Sequence, residues 1–137
     1  MKVMFDGQDA DLPQPATGGY VAVWLQLDIR RMWHLPAFMA AIGPVIEQAR
    51  HHRGLRRFGF VIDWWQLRFR TFGAFDTDES LREFVESEAH GMIYHRLRGR
   101  LGRVTTRYGV IDAADLPRHW DEVSACRFSP VGKSSGR

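Results

Sequence analysis

Hydrophobic residues alternate with polar ones along four segments of the chain, which predicts four β-strands. In the first segment, Tyr20–Ile29, every second residue from Val21 onward is aliphatic, and Trp24 and Asp28 lie on the opposite face. The second and third segments, LRRFGFVIDWW and QLRFRTFGAF, are separated by a tight turn around residues 63–66. The fourth segment lies in GRVTTRYGVID.

Two helical patterns separate these strands. The first begins at Leu35 and carries apolar residues every third or fourth position up to Gly54, a residue suited to a helix C-cap. Pro44 inside this pattern predicts a kink or a split. The second helix begins at Asp76 or Thr77 and extends through HGMIYHRLRG, with acids in its first turns and arginines in its last. A further short helix is predicted in DLPRHWDEV.

The element order β-α-β-β-α-β predicts an α+β protein with the ferredoxin-like topology, an antiparallel sheet with two helices on one face. Large apolar side chains, among them Trp24, Val61 and Trp65, would then lie on the other face and need a cover. An isologous partner subunit supplies such a cover. We therefore predict a homodimer in which two sheets pack face to face, as in a dimeric α/β barrel.

The ends of the chain are polar and aperiodic. We therefore expect one domain over residues 19–125, a flexible N-terminal arm over 1–18 and a flexible C-terminal tail over 126–137. A length of 137 residues, with 45% hydrophobic and 26% charged residues, suits a single soluble domain. No apolar run reaches the roughly 18 residues that span a bilayer, and the single cysteine, Cys126, fits a reducing compartment. We expect a cytoplasmic protein without a membrane partner.

The segment RRFGFVID resembles the aromatic signature of RNA-recognition motif domains, which stack bases on sheet aromatics. The residues that match that signature are Arg56, Phe58, Gly59, Phe60 and Val61. In those domains the signature lies on the third, central strand, whereas here it directly follows the first helix and becomes the second strand, at a sheet edge. The net charge of +3 is also only a mild excess. Nucleic-acid binding is therefore the least favoured alternative.

A longer segment, FRTFGAFDTDESLREFVESEAHGMIYHRLRGRLGRVTTRYGVI, resembles the C-terminal half of dimeric α/β-barrel proteins of the antibiotic-biosynthesis monooxygenase type. Phe84, Ser87 and His90 follow the order of that family's aromatic residue and Ser-x-x-His, and Val104–Ile111 matches its final strand. The resemblance spans about residues 19–112. It implies a pocket between sheet and helices in each subunit, which in that family takes largely apolar, often polycyclic molecules.

The same resemblance suggests a function. It implies a protein that binds small molecules. If the protein is an enzyme, the resemblance implies a cofactor-independent monooxygenase that acts on an aromatic or polycyclic substrate. The alternative is a non-catalytic ligand-binding or haem-binding protein of the same fold. The family's haem-degrading pattern has a tryptophan near Phe75 and an asparagine where Gln26 or Asp28 stands, so haem degradation is not expected. Haem binding through His90 or His95 stays an alternative, and otherwise no cofactor is expected.

Catalysis would need a general base, and the candidates are His90, Tyr94 and His95. On one continuous helix His95 shares the apolar face of Phe84, whereas His90 lies opposite. The two histidines are five residues apart and so form a poor metal-chelating pair, and no metal site is predicted. Which histidine faces the pocket is left open by the sequence.

Aromatic and basic residues are the candidates for substrate contacts, and two of them, Trp33 and His34, lie in the loop that enters the first helix, where a pocket mouth is expected in this architecture. A tryptophan would form a flat wall against an aromatic ligand, and an arginine or an indole N–H would stabilise developing negative charge. Each also has a structural alternative, as a loop anchor or as a counter-ion. The candidate substrate-binding residues are Trp24, Trp33, His34, Trp64, Trp65 and Arg68.

Overall fold

The computed structural model describes residues 2–7, 19–87, 97 and 99–123. The described part contains five β-strands and three α-helices, with 3-10 turns at Met32–His34 and Ala113–Asp115. In chain order these elements are β1 (Lys2–Asp6), β2 (Gly19–Ile29), α1 (Leu35–His51), β3 (Leu55–Asp63), β4 (Arg68–Phe75), α2 (Asp78–Val85), β5 (Leu101–Asp112) and α3 (Trp120–Val123).

The five strands form one antiparallel sheet in the order β1-β3-β4-β2-β5. The last four reproduce the ferredoxin-like arrangement, so the predicted α+β fold is confirmed. The hairpin between β3 and β4 is also confirmed, because Asp63 pairs with Arg68 across a four-residue turn. None of the described helices is long and apolar enough to cross a membrane.

The main core fills the space between one face of the sheet and the helices α1 and α2. The alternation predicted for β2 is correct, since Leu27 and Ile29 are buried on this side. Phe38, on the first turn of α1, packs edge-on against Phe69 of β4, with ring centroids 4.9 Å apart. Burial of these side chains removes most of their apolar surface from water, which stabilises the layer of helices on the sheet.

The N-terminal strand corrects one expectation. Residues 1–18 were expected to form a flexible arm, but Lys2–Asp6 pair with β3 and remove its free edge. Gly59 permits the close approach, because a Cβ at that position would lie 2.8 Å from the Val3 carbonyl oxygen and 2.7 Å from the Met4 sulfur. β3 is therefore an internal strand rather than the edge strand that the sequence predicted.

The chain also covers part of the sheet's second face, which corrects the packing argument for a partner subunit. Leu116, Trp120 and Val123 pack against a second buried cluster on this face. The Trp120 indole N–H donates to the Val3 carbonyl oxygen at 2.8 Å, and the Arg57 guanidinium donates to the Pro117 carbonyl oxygen at 3.0 Å. The buried cluster of this face is thus covered from within the chain, whereas Trp24 beside it is only partly buried.

The two main helices differ from their predicted extents: α1 is not split at Pro44, and α2 is shorter than expected. α1 continues through Pro44, which lies on the exposed side of the helix, so the carbonyl group that loses its amide partner is open to water. The α2 cap is confirmed, because the Thr77 hydroxyl accepts a hydrogen bond from the Ser80 amide at 3.0 Å. However, α2 ends at Val85, so the wheel of one long helix cannot be extended to the histidines beyond it.

A buried ion pair joins β3 to the segment that enters α2. The Arg56 guanidinium donates through Nε to the Asp76 carboxylate, and its side chain is only 4% exposed. The guanidinium carbon also lies 5.5 Å from the centre of the Tyr20 ring. The Asp76 amide in turn donates to the Gly54 carbonyl oxygen at 2.8 Å. These contacts fix the start of α2 against the end of α1.

We expect Asp76→Ala to lower the free energy of unfolding by about 3 kcal/mol, because it leaves a buried guanidinium without that carboxylate. The matched control is Asp6→Ala, which removes the neighbouring Arg57–Asp6 pair, whose carboxylate is 62% exposed. Its loss should cost less than about 1 kcal/mol. Urea denaturation of both variants measures the difference. Equal losses in the two variants would show that the Arg56–Asp76 pair has no special structural role.

Candidate functional site

A cavity of about 190 Å³ lies between the inner face of the sheet and the helices α1 and α2. Its floor is formed by β2 and β4 with contributions from β3 and β5, and its roof by the two helices. The described lining residues are Val23, Leu25, Leu27, Phe38, Ile42, Val45, Ile46, Phe58, Phe69, Thr71, Gly73, Phe75, Phe84, Val85 and Thr106.

The described walls are apolar except for two threonines, Thr71 and Thr106. Both pair with Leu25, Thr71 from β4 on one side and Thr106 from β5 on the other. Paired residues of neighbouring strands project to the same face of a sheet, so the two threonines flank Leu25 on the cavity floor. Each hydroxyl can donate one hydrogen bond and accept two. No titratable side chain belongs to the described lining.

One side of the cavity is an aromatic cluster. Phe84 of α2 lies 5.5 Å from Phe75 and 6.0 Å from Phe58, measured between ring centroids. His52 adjoins this cluster, with its ring centroid 5.1 Å from that of Phe84. Its Nε2 lies 2.8 Å from the Ser80 carbonyl oxygen, which can only accept a hydrogen bond, so His52 donates there. His52 therefore links the end of α1 to α2 by a hydrogen bond and by its contact with Phe84.

The three candidate catalytic residues, His90, Tyr94 and His95, lie outside the described residues. The described chain stops at residue 87 and resumes, apart from residue 97, at residue 99. Val85, the last residue of α2, lines the cavity. The assignment of His90, Tyr94 and His95 as catalytic residues therefore stays a prediction.

The six candidate substrate-binding residues lie outside the described cavity lining. Trp24 is on the second face of the sheet, where the Arg107 guanidinium carbon is 5.6 Å from its ring centre. Arg68 is on the same face and donates to Asp28 at 2.9 Å, as its structural alternative predicted. Trp64 and Trp65 lie in the β3–β4 turn and are exposed. Their roles in substrate binding stay predictions.

Trp33 and His34 lie together in the 3-10 turn that precedes α1. Their rings meet edge to face with centroids 6.1 Å apart, and Trp33 is 73% exposed. The Nδ1 atom of His34 is buried and has no hydrogen-bond partner among the residues that the structure describes. The two rings are therefore in contact, in the turn that leads directly into α1.

The described part of the cavity wall contains no ligand set for a metal or a haem. Within the described ranges, no three histidine, cysteine, aspartate or glutamate side chains are grouped to hold a metal ion. The described lining also contains no histidine, cysteine, methionine or tyrosine that would serve as an axial ligand to haem iron. The described lining therefore does not fit haem, and haem binding through His90 or His95, which lie outside the described residues, stays a prediction.

The RNA-binding alternative conflicts with the burial of its key residues. Phe58 and Phe60 are 5% and 6% exposed, in the core beneath the helices. Base stacking needs aromatic rings on an open sheet face. The signature-like glycine, Gly59, is explained by the close passage of β1. The resemblance to the RNA-recognition signature is therefore a consequence of core packing.

The sequence carried a signal for the cavity floor that the prediction did not use. Thr71 was placed on the same face of its strand as Phe69, and Thr106 has the same parity as Val104. Thr71 is half-buried and Thr106 is exposed, so a polar hydroxyl on the helix side of these strands indicates space rather than packed core. The cross-strand register that brings both threonines beside Leu25 cannot be read from the sequence alone.

No known family profile and no curated protein matches the sequence, but solved structures match the fold. A protein from Fusobacterium nucleatum that is assigned as a monooxygenase superposes with a TM-score of 0.63 and 10% identity, over 80% of this chain and 50% of its own. A second protein so assigned, from Lactobacillus acidophilus, gives 0.61 and 9%, over 78% and 47%. This chain spans about half the length of these two.

A protein from Nitrosomonas europaea that is assigned as an antibiotic biosynthesis monooxygenase is closer in length. It superposes with a TM-score of 0.57 and 15% identity, over 70% of this chain and 90% of its own. At such identities the likeness concerns the fold. The resemblance seen in the sequence is confirmed at that level: the chain has the ferredoxin-like fold of the antibiotic biosynthesis monooxygenase-like proteins.

Proposed function

We propose that the protein binds a mainly apolar, aromatic small molecule in the cavity between the sheet and the helices α1 and α2. The observation that carries this proposal is the cavity wall, which is apolar in its described part except for two threonines. Transfer of a flat apolar ligand from water to such a wall gains about 25 cal/mol per Å² of buried surface. A charged ligand would lose its hydration and find no counter-ion in the described lining.

The proposed activity is oxygenation without a cofactor. His90 or His95 would remove a proton from an activated CH₂ group, and the resulting carbanion would react with molecular oxygen. The CH₂ group becomes a carbonyl, one oxygen atom enters the product and the other leaves as water, so the substrate supplies all four electrons. An arginine or an indole N–H would stabilise the negative charge. The fold shared with proteins assigned as monooxygenases supports this activity.

Ligand binding without catalysis is the competing function. It is favoured by the absence of an acid or base from the described cavity lining. Under this alternative the two threonines orient a neutral oxygen atom of the ligand, and nothing removes a proton. Oxygen consumption separates the two functions.

We expect Ile46→Trp to fill the cavity and to weaken binding of pyrene, a neutral polycyclic hydrocarbon, about tenfold or more. Ile46 lines the cavity and is half-buried, so a larger side chain there enters the empty volume. Ala40→Trp is the matched control, because Ala40 is exposed on the same helix. Pyrene fluorescence titration measures the affinities. Unchanged binding in Ile46→Trp, or equal losses in both variants, would exclude this cavity as the site.

Oxygen consumption by the purified protein, measured with an oxygen electrode on polycyclic phenols and ketones with an acidic CH₂, tests the activity. We expect turnover without added metal or reductant, and its loss in either His90→Ala or His95→Ala with pyrene binding retained. Retained turnover in both single variants and in the double variant would show that neither histidine is the base. No turnover on any substrate, with pyrene bound, would favour the non-catalytic function.

The homodimer and the cytoplasmic location remain proposals. Trp24 is only half-buried on the second face of the sheet, beside the part covered by residues 113–123. A partner subunit would cover it there. We expect sedimentation equilibrium to give twice the 15.8 kDa mass of the chain. A monomeric mass across the micromolar range would rule out the dimer and leave the cavity unaffected.

A further inference from the structure

Exposed apolar side chains concentrate at one end of the sheet. Among the described residues, four of the seven large hydrophobic side chains that are exposed lie in two turns at this end. They are Met32 (67% exposed), Trp33 (73%), Trp64 (42%) and Trp65 (97%). Scattered exposed apolar residues need no explanation, but a group of three tryptophans and a methionine marks a contact surface.

Backbone hydrogen bonds hold the two turns side by side. The Ile29 amide donates to the Leu67 carbonyl oxygen at 2.7 Å, which joins the end of β2 to the β3–β4 turn. The Arg30 amide donates to the Arg100 carbonyl oxygen at 2.9 Å, which joins it to the start of β5. Within the β3–β4 turn, the Asp63 carboxylate accepts hydrogen bonds from the Trp65 and Gln66 amides. The tryptophans thus project from fixed turns.

The same end is strongly basic. The segments 28–34, 63–68 and 99–103, which together we term the tryptophan–arginine end, contain five arginines and two aspartates, a net charge of +3. One aspartate, Asp28, is paired with Arg68 at 2.9 Å. Arg30, Arg31 and Arg100 are exposed.

We propose that the tryptophan–arginine end docks on an anionic lipid membrane surface. Tryptophan is favoured at the level of the lipid headgroups because its ring is apolar and its N–H can still hydrogen-bond. Each arginine near an anionic bilayer strengthens binding about fivefold. The end therefore supplies both terms that give a peripheral protein its membrane affinity.

Charge argues against a second copy of the chain as the occupant. A two-fold symmetric contact would place this patch against itself and bring Arg30, Arg31 and Arg100 toward the same arginines of the other copy. A nucleic acid is less favoured, because Trp33, Trp64 and Trp65 lie in two turns, whereas single-stranded nucleic acids bind along a basic groove in which successive bases stack on aromatic rings. An anionic membrane satisfies both the charge and the shape.

Membrane docking goes beyond the proposed function and needs no spanning helix. It revises the expectation, based on the lack of a long apolar run, that the protein has no membrane partner. An apolar ligand of the kind proposed for the cavity would dissolve in the same membrane. The two proposals are nevertheless independent, because Trp64 and Trp65 lie outside the described cavity lining.

Co-sedimentation with lipid vesicles tests the proposal. The full chain should partition onto vesicles of phosphatidylcholine containing phosphatidylglycerol, and at least about tenfold more weakly onto pure phosphatidylcholine. Binding should weaken as salt is raised, because salt screens exposed charges. Tryptophan emission should shift to shorter wavelength on binding.

Two variants and two controls assign the contact to this end. Trp64→Ser/Trp65→Ser should remove most of the emission shift, leaving only the part that Trp33 gives, and most of the binding. Arg30→Gln/Arg31→Gln should weaken binding to the anionic vesicles by about fivefold for each arginine. Tyr108→Ser and Arg82→Gln, which change exposed residues elsewhere, should bind like the unchanged protein. Pyrene binding in all four should be retained, which keeps this test separate from that of the cavity.

Several outcomes would overturn the proposal. Absence of vesicle binding, equal binding to neutral vesicles, or binding unaffected by Trp64→Ser/Trp65→Ser would each do so. A lower oligomeric mass in Trp64→Ser/Trp65→Ser would instead make this end an interface between copies. Tighter binding to a single-stranded RNA, with loss in the same variant, would make it a nucleic-acid site.

Discussion

The register of β2 between β4 and β5 is the constraint on which the rest of the structure depends. It places Leu25 between Thr71 and Thr106 on the helix side of the sheet. On the other side it sets Gln26 beside Arg70 and Asp28 beside Arg68, and both pairs are hydrogen-bonded at 2.9 Å. A shift of β2 by one residue would turn Gln26 and Asp28 beneath the helices and leave these partners of Arg70 and Arg68 on the wrong face. The polar pairs and the apolar core therefore specify the same register.

This division of faces separates the functions that we propose. The inner face, with α1 and α2 above it, encloses a cavity suited to an apolar ligand. The outer face is closed in part by the segment that ends with α3. Where it is not closed, it carries the Arg68–Asp28 ion pair and the Arg70–Gln26 hydrogen bond. The strand ends meet at the tryptophan–arginine end, where exposed turns present indole rings and cations. The proposed ligand cavity and the proposed membrane-docking surface thus lie on different parts of the same sheet.

Much of the fold could be predicted from the sequence because its signals are local. The alternation in β2 and the Thr77 cap each depend on neighbouring residues, and both are correct. β1 was missed because a five-residue strand gains its stability from pairing with β3, more than fifty positions away. The length of α2 was overestimated because an apolar period can continue past the residue where hydrogen bonding stops.

The site was less predictable than the fold, for a physical reason. Tryptophan and histidine are the usual candidates for a site in a sequence because their side chains can take part in many kinds of contact. In the structure, however, Trp64 and Trp65 lie exposed in a turn, and His52 is hydrogen-bonded to α2. The described cavity is instead lined by ordinary core residues, and only three-dimensional packing shows that they leave a space. Thr71 and Thr106 acquire their meaning from a shared neighbour, Leu25, which depends on strand register.

The most direct test of the central claim is a set of intermolecular nuclear Overhauser effects between bound pyrene and a protein labelled at its methyl groups. The account predicts contacts to methyl groups of Leu25, Val45, Thr71 and Thr106, which line the cavity from the sheet and from α1. Contacts confined to Met32 and other surface methyl groups, with none to these four, would contradict it.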